Sequence, residues 1–226
     1  MSGSIQQVRL ILCVVLFMTV EGFAKLENWD QYNSSLLIEV TRPNGVFTCT
    51  GVAVSSQIIV TAAHCLEGDI KGVRVFTQEK YDPKQTSLAI KSFKIHPDYK
   101  PKASRYKDDI AKIMMAEKIP AFVHLLPIFE GNMVSGQLYR FGFGERDHKN
   151  VRTVVTPKFR KMNLAEKVLE VDDKFSRSGD SGGPIFMKDG QNISLLAIHS
   201  TFSHGPEGEF SMNPRLASYL SWIYDN

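Results

Sequence analysis

The amino-acid sequence predicts an all-β fold that ends in a C-terminal helix. Short apolar runs rich in β-branched and aromatic residues follow one another along the chain, and turn residues separate them. Near the end the spacing changes, so that Leu216, Tyr219, Leu220 and Ile223 fall on one face of a helix. Strands this short and frequent are typical of a β-sandwich or a β-barrel.

The apolar runs locate the strands, and the residues between them locate the turns. Residues 42–45 read Arg-Pro-Asn-Gly, which is a turn signal between the first two runs. At the other end, Asn213 is suited to cap the helix and Pro214 to occupy its first position. The strands are predicted over residues 36–40, 46–54, 57–61, 73–77, 88–95, 110–114, 137–143, 151–155, 184–187 and 194–199.

Residues 1–24 have the three-part pattern of a secretory signal peptide. A short polar stretch ends at Arg9, an apolar run follows over residues 10–20, and Gly22 and Ala24 are small residues at the third-last and last positions. The run is too short to cross a bilayer comfortably. We therefore expect cleavage after Ala24, a secreted or periplasmic domain over residues 25–226, and no stable membrane anchor. A buried N-terminal helix is the alternative.

Composition excludes several classes of protein. The chain has 226 residues, 43% of them hydrophobic and 23% charged, which suits one large domain or two small lobes. The net charge of +3 is mild and the basic residues are scattered, so no nucleic-acid partner is expected. No His or Cys pair has the spacing of metal ligands, and we expect no metal, no other cofactor and a monomer.

Removal of the signal leaves two cysteines, Cys49 and Cys65. Export implies an oxidising compartment, in which such a pair is readily bridged. A bridge around a loop of about 15 residues adds roughly 3 kcal/mol in the chain-entropy model. Two free buried thiols are the alternative.

Three motifs carry chemistry. Residues 179–184 read Gly-Asp-Ser-Gly-Gly-Pro, where glycines let the backbone bend sharply and let a substrate carbonyl approach the main chain. Residues 61–65 read Thr-Ala-Ala-His-Cys after an apolar strand, and residues 107–111 read Lys-Asp-Asp-Ile-Ala before one. Amide cleavage by a serine needs a hydroxyl, a base, a carboxylate that orients the base, and donors for the oxyanion. Each motif alone could be merely structural.

In this order the three motifs resemble the signature of the chymotrypsin–trypsin family of serine proteases, whose order differs from that of subtilisins and α/β-hydrolases. Residues 95–99, 141–144 and 219–223 resemble further family segments, so the resemblance spans essentially residues 25–226. It implies two packed six-stranded antiparallel β-barrels with the active site in the cleft between them.

The resemblance implies a role for each motif residue. His64 is the general base and acid, Ser181 the nucleophile, and Asp109 the orienting carboxylate. Asp109 is chosen over Asp108 because it directly precedes the Ile-Ala pair. The backbone amides of Gly179 and Ser181 form the oxyanion hole.

Three further residues take roles from the same resemblance. Cys49 and Cys65 correspond to the family's disulfide beside the histidine. Ser200 corresponds to the serine that supports the triad acid at the edge of the substrate pocket.

The expected substrate pocket departs from the trypsin pattern. Phe175 stands where trypsin-like members have an acid that binds Lys or Arg, and a phenyl ring offers no counter-charge. Phe202 aligns with a glycine of the pocket wall, and Gly208 keeps the other wall open. Arg177 replaces a cysteine that staples this region in many members. The sequence therefore predicts a narrow or partly closed apolar pocket without trypsin-like specificity.

Activation also departs from the family. Asp180 corresponds to the acid that pairs with the new N-terminal amine after zymogen cleavage, and that pairing organises the oxyanion hole. The chain lacks the usual Arg-Ile-Val-Gly-Gly cleavage sequence. One hypothesis is that signal cleavage frees the amine of Lys25 for Asp180. The alternatives are that another cation serves Asp180, or that a partner orders the enzyme.

The sequence thus predicts a secreted serine endopeptidase acting on protein or peptide substrates. A non-catalytic or conditionally active homologue that serves as a protein-binding module is the alternative. A lipase or esterase is disfavoured because the chain lacks the Gly-x-Ser-x-Gly elbow.

Overall fold

The protein is described by a computed structural model that covers residues 33–101, 107–146, 149–205 and 208–225. The predicted signal peptide, residues 1–24, lies outside the described residues. Antiparallel β-strands dominate the described chain, and a short helical segment follows them. The predicted all-β fold with a C-terminal helix is confirmed.

The first lobe is a six-stranded antiparallel sheet with the strand order β4-β1-β2-β3-β6-β5. A bridge between Val75 and Leu88 joins β4 to the segment that leads into β5, which brings the two edges of the sheet together. The strands are β1 (Ser35–Arg42), β2 (Gly45–Ala53), β3 (Ile58–Thr61), β4 (Gly72–Phe76), β5 (Ile90–Ile95) and β6 (Ala111–Met115).

The second lobe contains two four-stranded sheets, ordered β10-β7-β13-β14 and β11-β12-β16-β15, and a small β8-β9 hairpin. The two antiparallel β lobes that the resemblance implies are confirmed, and the strands of the second lobe are divided between these sheets. The strands are β7 (Gln137–Gly142), β8 (Glu145–Arg146), β9 (Lys149–Asn150), β10 (Thr153–Val155), β11 (Lys158–Asn163), β12 (Val168–Asp172), β13 (Pro184–Asp189), β14 (Asn192–Ile198), β15 (Thr201–Gly205) and β16 (Gly208–Pro214).

Each lobe has its own apolar core, and a third cluster joins them. Val52, Val60 and Ile110 of the first lobe pack in this cluster with residues of the second lobe and of the C-terminal segment. Burial of such side chains is the main favourable term in folding. It therefore fixes the two lobes against each other, with the C-terminal segment across their junction.

The C-terminal helix begins later than the sequence predicts. Asn213 and Pro214 end β16, where the pairing with β12 holds them in extended conformation. A 3₁₀ helix then covers Leu216–Tyr219 and an α-helix, α1, covers Leu220–Tyr224. The predicted cap at Asn213 is therefore wrong, because its side chain is buried and donates to the carbonyl oxygen of Leu169 instead.

Candidate active site

His64 lies in a one-turn 3₁₀ helix, Ala63–Cys65, that follows β3 directly. Two constraints hold this turn. Cys65 forms a disulfide with Cys49 of β2, and Arg42 donates hydrogen bonds to the carbonyl oxygens of His64 and Cys65. The predicted disulfide is thus present in the structure, and it fixes the histidine on the edge of the first lobe.

Asp109 is fully buried beside His64 and accepts three hydrogen bonds. Its Oδ2 lies 2.7 Å from Nδ1 of His64, and its Oδ1 accepts the His64 backbone N–H at 2.9 Å. The hydroxyl of Ser200 donates to Oδ2 at 2.5 Å. A buried carboxylate that accepts from Nδ1 places the proton of a neutral imidazole there, so Nε2 is the nitrogen that can act as a base.

Ser181 lies in the second lobe but is anchored to the first. Its carbonyl oxygen accepts the backbone N–H of Thr50 at 2.8 Å, and it lies 3.8 Å from Sγ of Cys65. The next residue is required to be glycine, because a Cβ at Gly182, where φ is +80°, would lie 2.1 Å from the carbonyl oxygen of Thr50. This close approach brings the serine loop against the element that carries His64.

The predicted oxyanion donors belong to the same loop. Gly179 has a φ of +98°, a conformation that favours glycine. Its carbonyl oxygen accepts the hydroxyl hydrogen of Thr50 at 2.8 Å, which fixes the orientation of the peptide. Within the described chain, the backbone N–H groups of Gly179 and Ser181 have no acceptor.

Asp180, between these two residues, is fully buried and heavily bonded. Its carboxylate lies 3.0 Å from Nη1 of Arg140 and 2.9 Å from Nη2 of Arg146. It also accepts the backbone N–H groups of Gly144 at 2.8 Å and Arg177 at 3.0 Å. Burial alone raises the pKa of Asp180, but the two guanidinium groups outweigh it and lower the pKa to about 2. Lys25, whose amine was one hypothetical partner, lies outside the described residues.

The structure places the predicted pocket residues on several segments of the second lobe, and one of them, Ser200, contacts the triad acid. Phe175 is half-buried ahead of the serine loop, and Ser200 contacts Asp109. Phe202 of β15 is half-buried and pairs with Ser211 of β16. Gly208 lies at the start of β16, exposed, where a side chain would point into open space.

Sequence reasoning missed a buried polar group beside Phe175. Nε2 of His199 lies 2.7 Å from the hydroxyl oxygen of Ser176. Burial and the nearby charge of Arg140 lower the pKa of His199 to about 4. Asp173, which is also buried, accepts from Nε of Arg140 at 2.5 Å. The sequence held one signal of this buried ionic cluster, because the charged Arg140 stands between Tyr139 and Phe141 in a predicted strand.

The electrostatics at His64 suit a base that works near neutral pH. Burial disfavours the imidazolium form, but the hydrogen bond and the charge of Asp109 outweigh burial and raise the pKa of His64 above 6.5. Among the described residues, no group of three or more His, Cys, Asp and Glu side chains could hold a metal ion.

The described residues contain no helix that is long and apolar enough to cross a membrane.

The chain is similar in sequence to known serine proteases. The family model described as Trypsin matches residues 27–223. Phenoloxidase-activating factor 3 of Holotrichia diomphalia is 25% identical over 246 residues, which cover 87% of this chain and 69% of that protein. CLIP domain-containing serine protease B4 of Anopheles gambiae is 22% identical over 245 residues, which cover 87% of this chain and 67% of that protein.

The fold also has solved counterparts. The crystal structure of the scabies mite inactivated protease paralogue S-I1 matches with a TM-score of 0.69, covering 91% of this chain and 98% of that chain. The sequence identity is 18%, so this likeness shows the fold alone.

Proposed function

Because the chain belongs to the trypsin family of serine proteases, we propose that it is a secreted serine endopeptidase that hydrolyses proteins or peptides. His64, Asp109 and Ser181 form its catalytic triad. The observation that carries this proposal is the Ser200–Asp109–His64 hydrogen-bonded chain, with the Ser181 loop bound against the element that holds His64.

Each triad residue has one task in the proposed mechanism. The hydroxyl oxygen of Ser181 attacks the peptide carbonyl carbon while Nε2 of His64 accepts the hydroxyl proton. The tetrahedral oxyanion accepts hydrogen bonds from the N–H groups of Gly179 and Ser181. His64 then gives the proton to the departing amine, which leaves an acyl group on Ser181. A water molecule, deprotonated by His64, hydrolyses that ester, and the proton returns to Ser181.

The pH dependence should follow the titration of His64. Since only neutral imidazole can accept the serine proton, kcat/KM should rise with pH and reach its half-maximum above pH 6.5, the ordinary imidazole pKa. The profile should be measured with an uncharged peptide substrate, so that only the enzyme titrates. A half-maximum at or below 6.5 would contradict the Asp109–His64 arrangement.

Specificity is proposed to exclude Lys and Arg. The proposed pocket comprises Phe175, Ser200 and Phe202, with Gly208 keeping the other wall open. Asp173 is the buried acid nearest in sequence to Phe175, and its carboxylate is already paired with Arg140. A basic substrate side chain would therefore be desolvated here without a counter-charge, at a cost of several kcal/mol.

Cleavage of a peptide library by the purified protein that begins at Lys25 tests this function. Mass spectrometry of the products reports both activity and the residue before each cut. We expect cuts that do not follow Lys or Arg. Cuts confined to Lys and Arg would contradict the proposed pocket, and an untouched library would contradict the proposed activity.

The export of the protein is proposed from two features. Residues 1–24 fit a signal peptide, and the Cys49–Cys65 disulfide is consistent with an oxidising compartment. The protease domain is then residues 25–226, and we propose that it acts as a monomer outside the cell or in the periplasm.

A second candidate function is a non-catalytic binding module. The inactivated paralogue S-I1 shares this fold, so the fold alone does not distinguish the two functions. The hydrogen-bonded His64–Asp109 pair favours catalysis. Absence of both peptide cleavage and reaction with a fluorophosphonate would favour the binding module.

A further inference from the structure

The carboxylate of Asp180 is satisfied by groups from its own lobe. Arg140 is on β7 and Arg146 on β8, and each brings a guanidinium nitrogen within 3.0 Å of Oδ2. The backbone N–H groups of Gly144 and Arg177 donate to Oδ1 and Oδ2 respectively. A carboxylate accepts about four hydrogen bonds, so the described residues fill its capacity.

The surrounding backbone leaves little space for another group. A Cβ at Gly142 would lie 2.2 Å from Oδ1 of Asp180, and one at Gly144 would lie 2.6 Å from Cγ. Both glycines therefore pack their backbones directly against the carboxylate. Asp180 itself has no exposed surface.

The charges around Asp180 already balance. The two guanidinium groups of Arg140 and Arg146 are matched by the two carboxylates of Asp173 and Asp180. His199 adds no charge at neutral pH because burial and Arg140 lower its pKa to about 4. An ammonium group inserted here would be a surplus buried cation, which is strongly unfavourable.

The side chain of the neighbouring Arg177 is not one of the cations that neutralise Asp180. Its guanidinium is exposed and donates to the carbonyl oxygen of Ser176. Only its backbone N–H contacts Asp180.

We propose that Arg140 and Arg146 replace the N-terminal amine as the cation that holds Asp180, so the nucleophile loop reaches its working conformation without any newly cut N-terminus. The inference rests on the proposed function. Asp180 lies between Gly179 and Ser181, so fixing its carboxylate fixes both oxyanion donors. Arg140 and Arg146 are thus positioning residues, and catalysis does not depend on the amine of Lys25.

The first test changes only the N-terminus. Three forms are compared: protein that begins at Lys25, the same protein with a short Gly-Ser extension, and the first form with its terminal amine acetylated. Each is titrated with a fluorophosphonate and assayed on a peptide from the library. Because the terminal amine does not hold Asp180 in this proposal, the three forms should have the same activation barrier. We therefore expect their kcat/KM values to agree within about twofold.

The outcomes separate the two proposals. Activity in the Lys25 form with loss of about tenfold or more in the blocked forms overturns the inference and leaves the proposed function intact. Absence of reaction in all three forms contradicts the proposed function, and the inference falls with it.

The second test removes one guanidinium. Arg146→Met should lower kcat about a hundredfold with little change in KM, the size of effect seen when an oxyanion donor is lost. Arg146→Lys should restore most of kcat because it restores the charge. Arg146 is preferred to Arg140 because its side chain is 18% exposed, against 1% for Arg140.

Arg74→Met is the matched control. It also takes a guanidinium from a buried carboxylate, that of Glu39, but in the first lobe. It should lower the melting temperature and leave kcat unchanged. An Arg146→Met protein with wild-type kcat, or one whose loss of kcat is matched by Arg74→Met, would overturn the inference.

Discussion

Replacing Ser181 with alanine is expected to lower kcat about 10⁶-fold on any peptide that the wild-type protein cleaves. The variant keeps the His64–Asp109 pair and the backbone amides of the loop, but it has no atom that can form the acyl-enzyme. Losses of this size are typical when the nucleophile of a serine protease is removed, because the triad acts as a unit. The measurement is the single-turnover and steady-state rate on one library-derived peptide.

Ser92→Ala is the control for this substitution. It removes the same hydroxyl from an exposed position on β5, in the edge strand of the first lobe. Its rate should equal that of the wild type. If Ser181→Ala keeps more than about 1% of wild-type kcat, hydrolysis does not proceed through an acyl group on Ser181.

Replacing Asp109 with asparagine is expected to lower kcat about 10⁴-fold near neutral pH. The side-chain amide would donate to Nδ1 of His64 rather than accept from it, so the ring proton would move to Nε2 and the base would be lost. The hydroxyl of Ser200 contacts the same carboxylate oxygen as Nδ1, and it can accept from the asparagine amide instead of donating, so the fold should be retained. Rates are measured across the pH range, with circular dichroism as the check on folding.

The neighbouring acid provides a matched control. Asp108 is also buried, but its carboxylate contacts Nζ of Lys167 at 3.2 Å and the hydroxyl of Tyr219 at 3.0 Å. Its φ of +51° is tolerated by asparagine. The Asp108→Asn protein should be less stable than the wild type, but its kcat should fall by less than tenfold, because Asp108 does not contact His64. If Asp108→Asn is the more damaging variant, the choice of Asp109 is wrong.

The parts of the site that the sequence predicts are those defined by short motifs. The glycines at 182 and 183 are needed where the loop touches other backbone, and Cys65 fixes the turn that carries His64. These requirements leave local traces in the sequence. The pairing of Asp109 with His64 spans 45 residues, and it could be inferred only from the resemblance.

The parts that the sequence does not predict depend on tertiary pairing. β11 and β16 were missed because they carry charged and polar residues, and their ladders with β12 hold them extended. The same ladder keeps Asn213 out of the helix. The contact between Arg146 and Asp180 joins residues 34 apart, so no local pattern revealed which cation serves Asp180.

The most direct measurement is reaction of the protein that begins at Lys25 with a fluorophosphonate, followed by peptide mapping of the adduct. A fluorophosphonate captures a serine that is activated by a base and faces an oxyanion hole, and its product imitates the tetrahedral intermediate. We expect one phosphonyl group per chain, on Ser181, and none in Ser181→Ala. An unlabelled native protein, or a label on a different residue, would contradict the proposed role of Ser181 as the nucleophile.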